Sequence, residues 1–253
     1  MIDPESYEPT PPESEPPPSA ERYPFWGWLD VLLLAVLALP LMIVTSLAAF
    51  GVMQMLPAPP SIRAVFPVAA TFSFYGLWFL VLYWLMRARY GRPFWRSMAW
   101  VRPPGGYLAS FGWGLIVALA AILLGAILRP PQIKTPLEEL MNDPASLALI
   151  GAFAVTFGPL CEELAFRGFF MPLAIRTFGT AAGIVLAATP FTLLHGFEYA
   201  WSWQRLVIIF FAGSAFGWMR HRSGSTAAAA IMHAGYNLVF FTGLVAQRAG
   251  YIS

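Results

Sequence analysis

Glu162, Glu163 and Arg167 interrupt an otherwise apolar run, Gly158-Pro159-Leu160-Cys161-Glu162-Glu163-Leu164-Ala165-Phe166-Arg167-Gly168-Phe169-Phe170. The preceding stretch, Ala145 to Leu160, carries no charge. A charged side chain at the centre of a bilayer costs roughly 2.5–3.5 kcal/mol on insertion scales, so two side by side imply a partner or a use. Glu163 and Arg167 are four residues apart and share a helical face, where they can pair. Glu162 points about 100° away and is expected to be left free. Two further pairs share the spacing of four, Phe191 with His195 and His233 with Asn237, and each presents both members on one face. These residue types suit hydrolysis of a peptide bond. A partly desolvated glutamate is an effective general base near neutral pH, a role that suits Glu162. His195 can orient the attacking water or shuttle its proton. His233 and Asn237 can donate hydrogen bonds to a developing oxyanion. Glu163 with Arg167 then forms a structural clamp.

A metal-dependent version uses some of the same residues. Glu162, His195 and His233 are a possible set of three ligands for zinc. The chain has no His-Glu-x-x-His helix, and two of the three ligands lack an obvious supporting carboxylate unless Glu163 serves. The expectation is a site with no cofactor, with zinc as the alternative.

The three spacings, Glu-Glu-x-x-x-Arg, Phe-x-x-x-His and His-x-x-x-Asn, occur in that order within roughly Ala145 to Val245. In this they resemble the CPBP family. These are the intramembrane type II CAAX prenyl endopeptidases and their bacterial relatives linked to bacteriocin processing and self-immunity. Any one motif alone is weak; the ordered set of three is specific. The resemblance implies the same roles, with Glu162 and His195 on the water and His233 and Asn237 on the oxyanion. A reading from another class is a non-catalytic membrane protein, either a proton-coupled carrier or an immunity scaffold. In it the same groups relay protons or hold helices together. A carrier is favoured by inverted repeats, and the sequence shows no internal repeat.

The elements that position these residues must be membrane-spanning helices. Hydrophobic residues make up 58% of the 253 and charged residues 11%, against about a quarter charged in soluble chains. The fold class expected is all-α, a polytopic transmembrane helix bundle of about seven to eight spans at about 20 residues each. The first three spans run about Trp26–Met55, with Pro40 expected to kink the helix, Ala64–Met86 and Tyr107–Leu128. The fourth starts near Ala145 and continues as helix to about Thr177, closed by Gly179. The fifth reaches about His195, the sixth covers about Leu206–Met219, and the seventh about Thr226–Ala246. Glu162 and His195 lie at similar distances on either side of the Gly179 turn, about 25 Å along each helix, so they are expected at matching depth.

Residues 1–24 are Pro-rich and acidic, too poor in apolar groups to order themselves, and too acidic for a signal peptide. The domain organisation expected is this disordered tail, then a helical membrane domain over 25–253 with its protease core at about 145–245. Pro57-Ala58-Pro59-Pro60 reads as a turn. Arg87, Arg89, Arg92, Arg96 and Arg102, interleaved with Tyr90, Trp95 and Trp100 and free of acidic neighbours, read as an interfacial segment on the cytoplasmic side. That places the amino terminus in the cytoplasm and the site facing it. The expected partners are membrane lipids and a membrane-associated peptide or protein substrate; a net charge of +2 gives no reason to expect nucleic acid. One lysine among fifteen basic residues suggests a GC-rich bacterial genome, hence a bacterial cytoplasmic membrane. Cys161, the single cysteine, excludes an internal disulfide and reads as a small buried hydrophobe.

Overall fold

The computed structural model describes residues 23–56, 65–132 and 141–251. The acidic tail up to residue 22, the Pro57–Pro60 turn and most of the Arg129–Asp143 connection lie outside the described residues. Among the described residues there is no strand. The chain is an all-α bundle, as its composition requires.

The helices are α1 (Trp28–Met55), α2 (Val65–Tyr90), the single turn α3 (Phe94–Ser97) and α4 (Gly106–Leu128). They continue as α5 (Pro144–Phe178), α6 (Thr180–Leu194), α7 (Trp203–Ser223) and α8 (Thr226–Arg248). Five of them, α1, α2, α4, α5 and α8, are long and apolar enough to cross a membrane, and α6 is a shorter apolar helix. Among the described residues these five candidate spans are fewer than the seven to eight expected. Helix α1 runs through Pro40 without ending.

Local signals set the helix ends. Asp143 caps α5 by accepting from the Ser146 amide at 2.8 Å, with Pro144 at the first helical position, where a missing amide hydrogen costs nothing. Ser225 caps α8 by accepting from the Ala228 amide at 3.1 Å. Gly179, at φ +85°, turns the chain between α5 and α6 with a backbone that side-chain-bearing residues rarely adopt.

The two ends of the bundle are built differently. At the end bearing Arg87–Arg102, the segment Tyr23–Gly27 is drawn into the bundle. Trp26 is 1% exposed, stacks on Phe169 with ring centroids 5.4 Å apart, and donates to the Phe169 carbonyl at 2.9 Å. Arg176 donates to the carbonyls of Pro24 and Trp26. Asp30, buried in the first turn of α1, accepts from Tyr90 at 2.6 Å and lies 3.4 Å from Arg89. Helix α3 turns Phe94 inward while Trp95 stays exposed, as an interfacial segment should. Met98 and Ala99 accept from the Thr226 hydroxyl and amide at 2.6 and 2.9 Å, tying α3 to the start of α8. The result is an apolar plug of Trp26, Met86, Met98, Phe169 and Leu173.

Candidate active site

Helix α5 is not uniformly α-helical. It widens into π-helix at Phe153–Phe157 and again at Leu164–Phe170, on either side of the two glutamates. Proline explains both. The Gly158 amide donates five residues back to the Phe153 carbonyl. The next donor in that pattern is Pro159, which has no N–H, so the Ala154 carbonyl is left over. Met171 likewise donates to the Phe166 carbonyl, and Pro172 follows. A π turn holds one residue more than an α turn and so re-aims the side chains after it. The leftover Ala154 carbonyl accepts from Asn237 Nδ2 at 2.7 Å, which fixes the Asn237 side chain from the opposite helix. A buried carbonyl without a partner is costly, so Pro159 and Asn237 belong to one device.

Glu163 and Arg167 pair as expected, Nη1 to Oε1 at 2.9 Å, with both side chains fully buried. The same Oε1 meets His233 Nδ1 at 3.0 Å. Arg167 Nη2 donates to the Gly213 carbonyl at 2.7 Å, and its guanidinium lies 4.4 Å from the Phe191 ring centroid. A Cβ on Gly213 would stand 3.0 Å from Phe191 and 3.1 Å from Arg167 Nη2, so glycine lets α7 come this close without displacing either side chain. Helix α8 is held against α4 the same way. A Cβ on Gly114 would meet the Met232 carbonyl at 2.1 Å, and this contact aims the neighbouring His233 into the bundle. Buried charges are tolerable only when each has partners, and here carboxylate, guanidinium, imidazole and backbone carbonyl supply them for one another.

Glu162 is not free. Tyr75, on α2, donates to its Oε1 at 2.5 Å, and His233 Nε2 approaches its Oε2 at 3.9 Å. The second distance is too long for a direct hydrogen bond. His233 Nδ1 faces a carboxylate and so carries a proton; its Nε2 faces Glu162. His195 caps the end of α6. Its Nδ1 meets the Phe191 carbonyl at 2.8 Å, which places the proton on Nδ1 and leaves Nε2 able to accept.

Glu162, His195, His233 and Asn237 line a cavity of about 690 Å³, with Tyr75 and Glu198. Glu163 and Arg167 sit behind this wall. The sequence reading missed Tyr75 and Glu198. A tyrosine hydroxyl in an apolar helix needs a partner, which was a signal for Tyr75. Glu198 is one of three acidic residues between Ala145 and Val245, which was a signal for it. Burial raises the pKa of Glu198; neighbouring His195 opposes that shift and Glu162 adds to it. Cys161 is buried, in line with its reading as a small hydrophobe. Among the described residues, no three His, Cys, Asp or Glu side chains come together at metal-ligand spacing. Glu162 and His233 approach each other, but His195 does not complete a ligand set with them.

The walls of the cavity reach Pro67 near the start of α2, Pro130 just past α4, Met141 before α5 and Leu244 near the end of α8. All four lie at the end of the bundle away from Arg87–Arg102. The near end is filled by the plug around Trp26 and Phe169.

One buried carboxylate, Glu162, two imidazoles and an amide thus converge on one cavity of the helical bundle, with Glu163 buried behind them. Residues 144–239 match the family model described as type II CAAX prenyl endopeptidase, Rce1-like, and all six residues singled out from the sequence fall inside the match. Over residues 144–239 the chain is thus similar to this CAAX-protease family, the family whose motifs it resembles. Comparison with curated proteins and with solved structures returned no match.

Proposed function

We propose that this protein hydrolyses a peptide bond in a membrane-associated peptide or protein, with Glu162 activating the attacking water and no metal required. The observation that carries this reading is the 3.9 Å gap between Glu162 Oε2 and His233 Nε2 on the wall of a cavity that His195 also lines. One water can touch both atoms across such a gap. Glu162 takes a proton from that water, and the hydroxide adds to the scissile carbonyl carbon. Glu162 then returns the proton to the leaving nitrogen as the C–N bond breaks. His195 Nε2 accepts from the same water and keeps its lone pair on the carbonyl. The oxyanion is met by the second N–H of Asn237, the first being committed to Ala154, and by His233 when its Nε2 is protonated. Glu163 and Arg167 hold His233 in that orientation. Tyr75 fixes the Glu162 carboxylate so that one oxygen points at the gap. The match over residues 144–239 supports the reaction class.

The setting we propose is a bacterial cytoplasmic membrane with the amino terminus in the cytoplasm, lipids and a membrane-associated substrate as partners, and no nucleic acid. The test is turnover of a library of fluorogenic membrane-anchored peptides by the purified protein in detergent. Glu162→Gln should lose about 10²–10⁴-fold in turnover, and wild type should keep full activity in the presence of a chelator. Full turnover by Glu162→Gln rejects the mechanism. Loss of activity with chelator, restored by one equivalent of zinc, rejects its metal-free form.

A further inference from the structure

Glu198 stands on the cavity wall without a counter-ion. His195 ends α6, and the chain then makes one more turn, in which the Tyr199 amide donates to the His195 carbonyl at 3.2 Å. Residues three apart on such a turn have Cβ atoms about 5–6 Å apart, and both Glu198 and His195 line the cavity with Glu162. The loop that follows is tightly built. Ala200 and Trp201 hold φ at +48° and +56°, a region that residues other than glycine rarely adopt. The Trp201 amide donates to the Gly196 carbonyl at 2.8 Å, and its indole lies so close that a Cβ on Gly196 would stand 2.6 Å from the ring. Backbone strain of this kind persists only where surrounding contacts fix it, and what they fix here is the placement of Glu198 and Tyr199 on the cavity.

The charges around Glu198 do not balance it. It takes part in none of the ion pairs among the described residues. The groups that face it are Glu162 from α5, Tyr75 from α2, His195 from α6 and Tyr199 beside it. Glu162 repels it, and the two phenols are neutral. His195 can carry positive charge, but its Nδ1 is spent on the Phe191 carbonyl, and a neutral Nε2 is what the reaction above asks of it. Arg205 also lines the cavity. Its Nη2 donates to the Pro131 carbonyl at 3.1 Å and its guanidinium lies 5.7 Å from the Tyr199 ring centroid, so it is engaged by the ring and not by the carboxylate. A half-buried carboxylate facing a second carboxylate is unfavourable as it stands, and a cation brought to it relieves both the desolvation and the repulsion. Glu162 already has an oxygen on the water-sized gap, which leaves Glu198 for recognition.

We propose that Glu198 is a specificity-determining residue that binds a lysine or arginine side chain of the substrate within about two residues of the scissile bond, given the His195–Glu198 spacing and an extended peptide's advance of about 3.3–3.6 Å per residue. Elsewhere the wall is apolar, as at Phe72, Ile150, Phe153 and Leu244, so the sequence pattern that fits is one cation among apolar residues. This deepens the proteolytic reading and rests on it for the word substrate, but the preference can be read as binding, without turnover.

The probes are short palmitoyl-anchored, fluorescent Ala–Leu peptides, identical except for one residue that is lysine, norleucine or glutamate, moved through the central positions. Initial binding is measured in detergent against full-length Glu162→Gln, alone and with Glu198→Gln or Glu198→Arg added; turnover of the same peptides is measured with wild type and with Glu198→Gln alone. In at least one register the lysine peptide should bind Glu162→Gln roughly 10–100-fold tighter than its norleucine counterpart. Adding Glu198→Gln should make the two equal, and adding Glu198→Arg should transfer the preference to the glutamate peptide. Glu198→Gln on its own decides the matter if Glu198→Arg fails to accumulate. The proposal is overturned if no register favours lysine, or if the preference survives Glu198→Gln. It is equally overturned if Glu198→Gln slows turnover of the lysine, norleucine and glutamate peptides alike while their Kd values stay unchanged, which would make Glu198 a catalytic residue. A failure of the proteolytic reading would appear elsewhere, as full turnover by Glu162→Gln, and would leave the lysine preference in Kd as it is.

Discussion

Glu162 and Glu163 are adjacent in sequence and occupy two different regions, the wall of a water-sized gap and a dry ionic cluster. Glu163 is fully buried, with Arg167 and His233 both on its Oε1. Glu162 touches the cavity, with Tyr75 on one oxygen and open space beside the other. The same side chain thus has opposite tasks one helical step apart. The difference lies in how many donors surround each carboxylate. A carboxylate whose near oxygen is saturated by a guanidinium and an imidazole positions its neighbours; one with an oxygen left towards a cavity is available to a substrate.

The largest expected effect separates the two on stability. Glu163→Ala or Arg167→Ala leaves an uncompensated buried charge and should destabilise by about 3–5 kcal/mol, read as a lower melting temperature in detergent and a lower folded yield. Glu162→Gln should melt at or above wild type, because it removes a charge from the cavity wall and keeps the shape. If Glu162→Gln melts well below wild type while Glu163→Ala does not, the two carboxylates have the reverse assignments.

Tyr75→Phe sharpens the comparison from the cavity side. It removes a hydrogen bond to a charged group, of a kind that contributes about 1.5–3 kcal/mol. Turnover should fall by roughly 10–100-fold with little change in melting. An unchanged rate would mean that Tyr75 only fills space.

Gly213→Ala tests the cluster from outside it. The new Cβ meets Phe191 and Arg167 at 3.0 and 3.1 Å, so these two buried side chains must shift by a few tenths of an ångström to admit it. Overpacking of this kind costs about 1–3 kcal/mol. A variant as stable as wild type would show that α7 can move away without loss.

The smallest effect concerns Glu198, whose pKa burial raises. A raised folded-state pKa favours the protonated form. Its contribution to stability is full below the ordinary glutamate value of about 4.3 and is lost as pH rises through the folded-state value. The melting temperature of wild type relative to Glu198→Gln should therefore decline as pH rises from about 4 towards neutrality. A flat difference across that range would mean that Glu198 is solvated.

The chemistry-bearing residues were legible in the sequence because charge in an apolar run is conspicuous and helical spacing is short-range. The bundle, the Glu163–Arg167 pair and the long fourth span ending at Gly179 all followed from local pattern. Periodicity within one helix says which residues share a face, but it cannot say which face of another helix arrives there. For that reason Tyr75, 87 residues before Glu162, was invisible as its partner. The commitment of one Asn237 donor to Ala154 was hidden too, since it depends on a carbonyl that Pro159 leaves unpaired. The direction in which the cavity runs was also beyond local pattern. It is set by side chains from the strap, α2, α3 and α5 packing into one plug, and the sum of such contacts exists only when the helices are assembled.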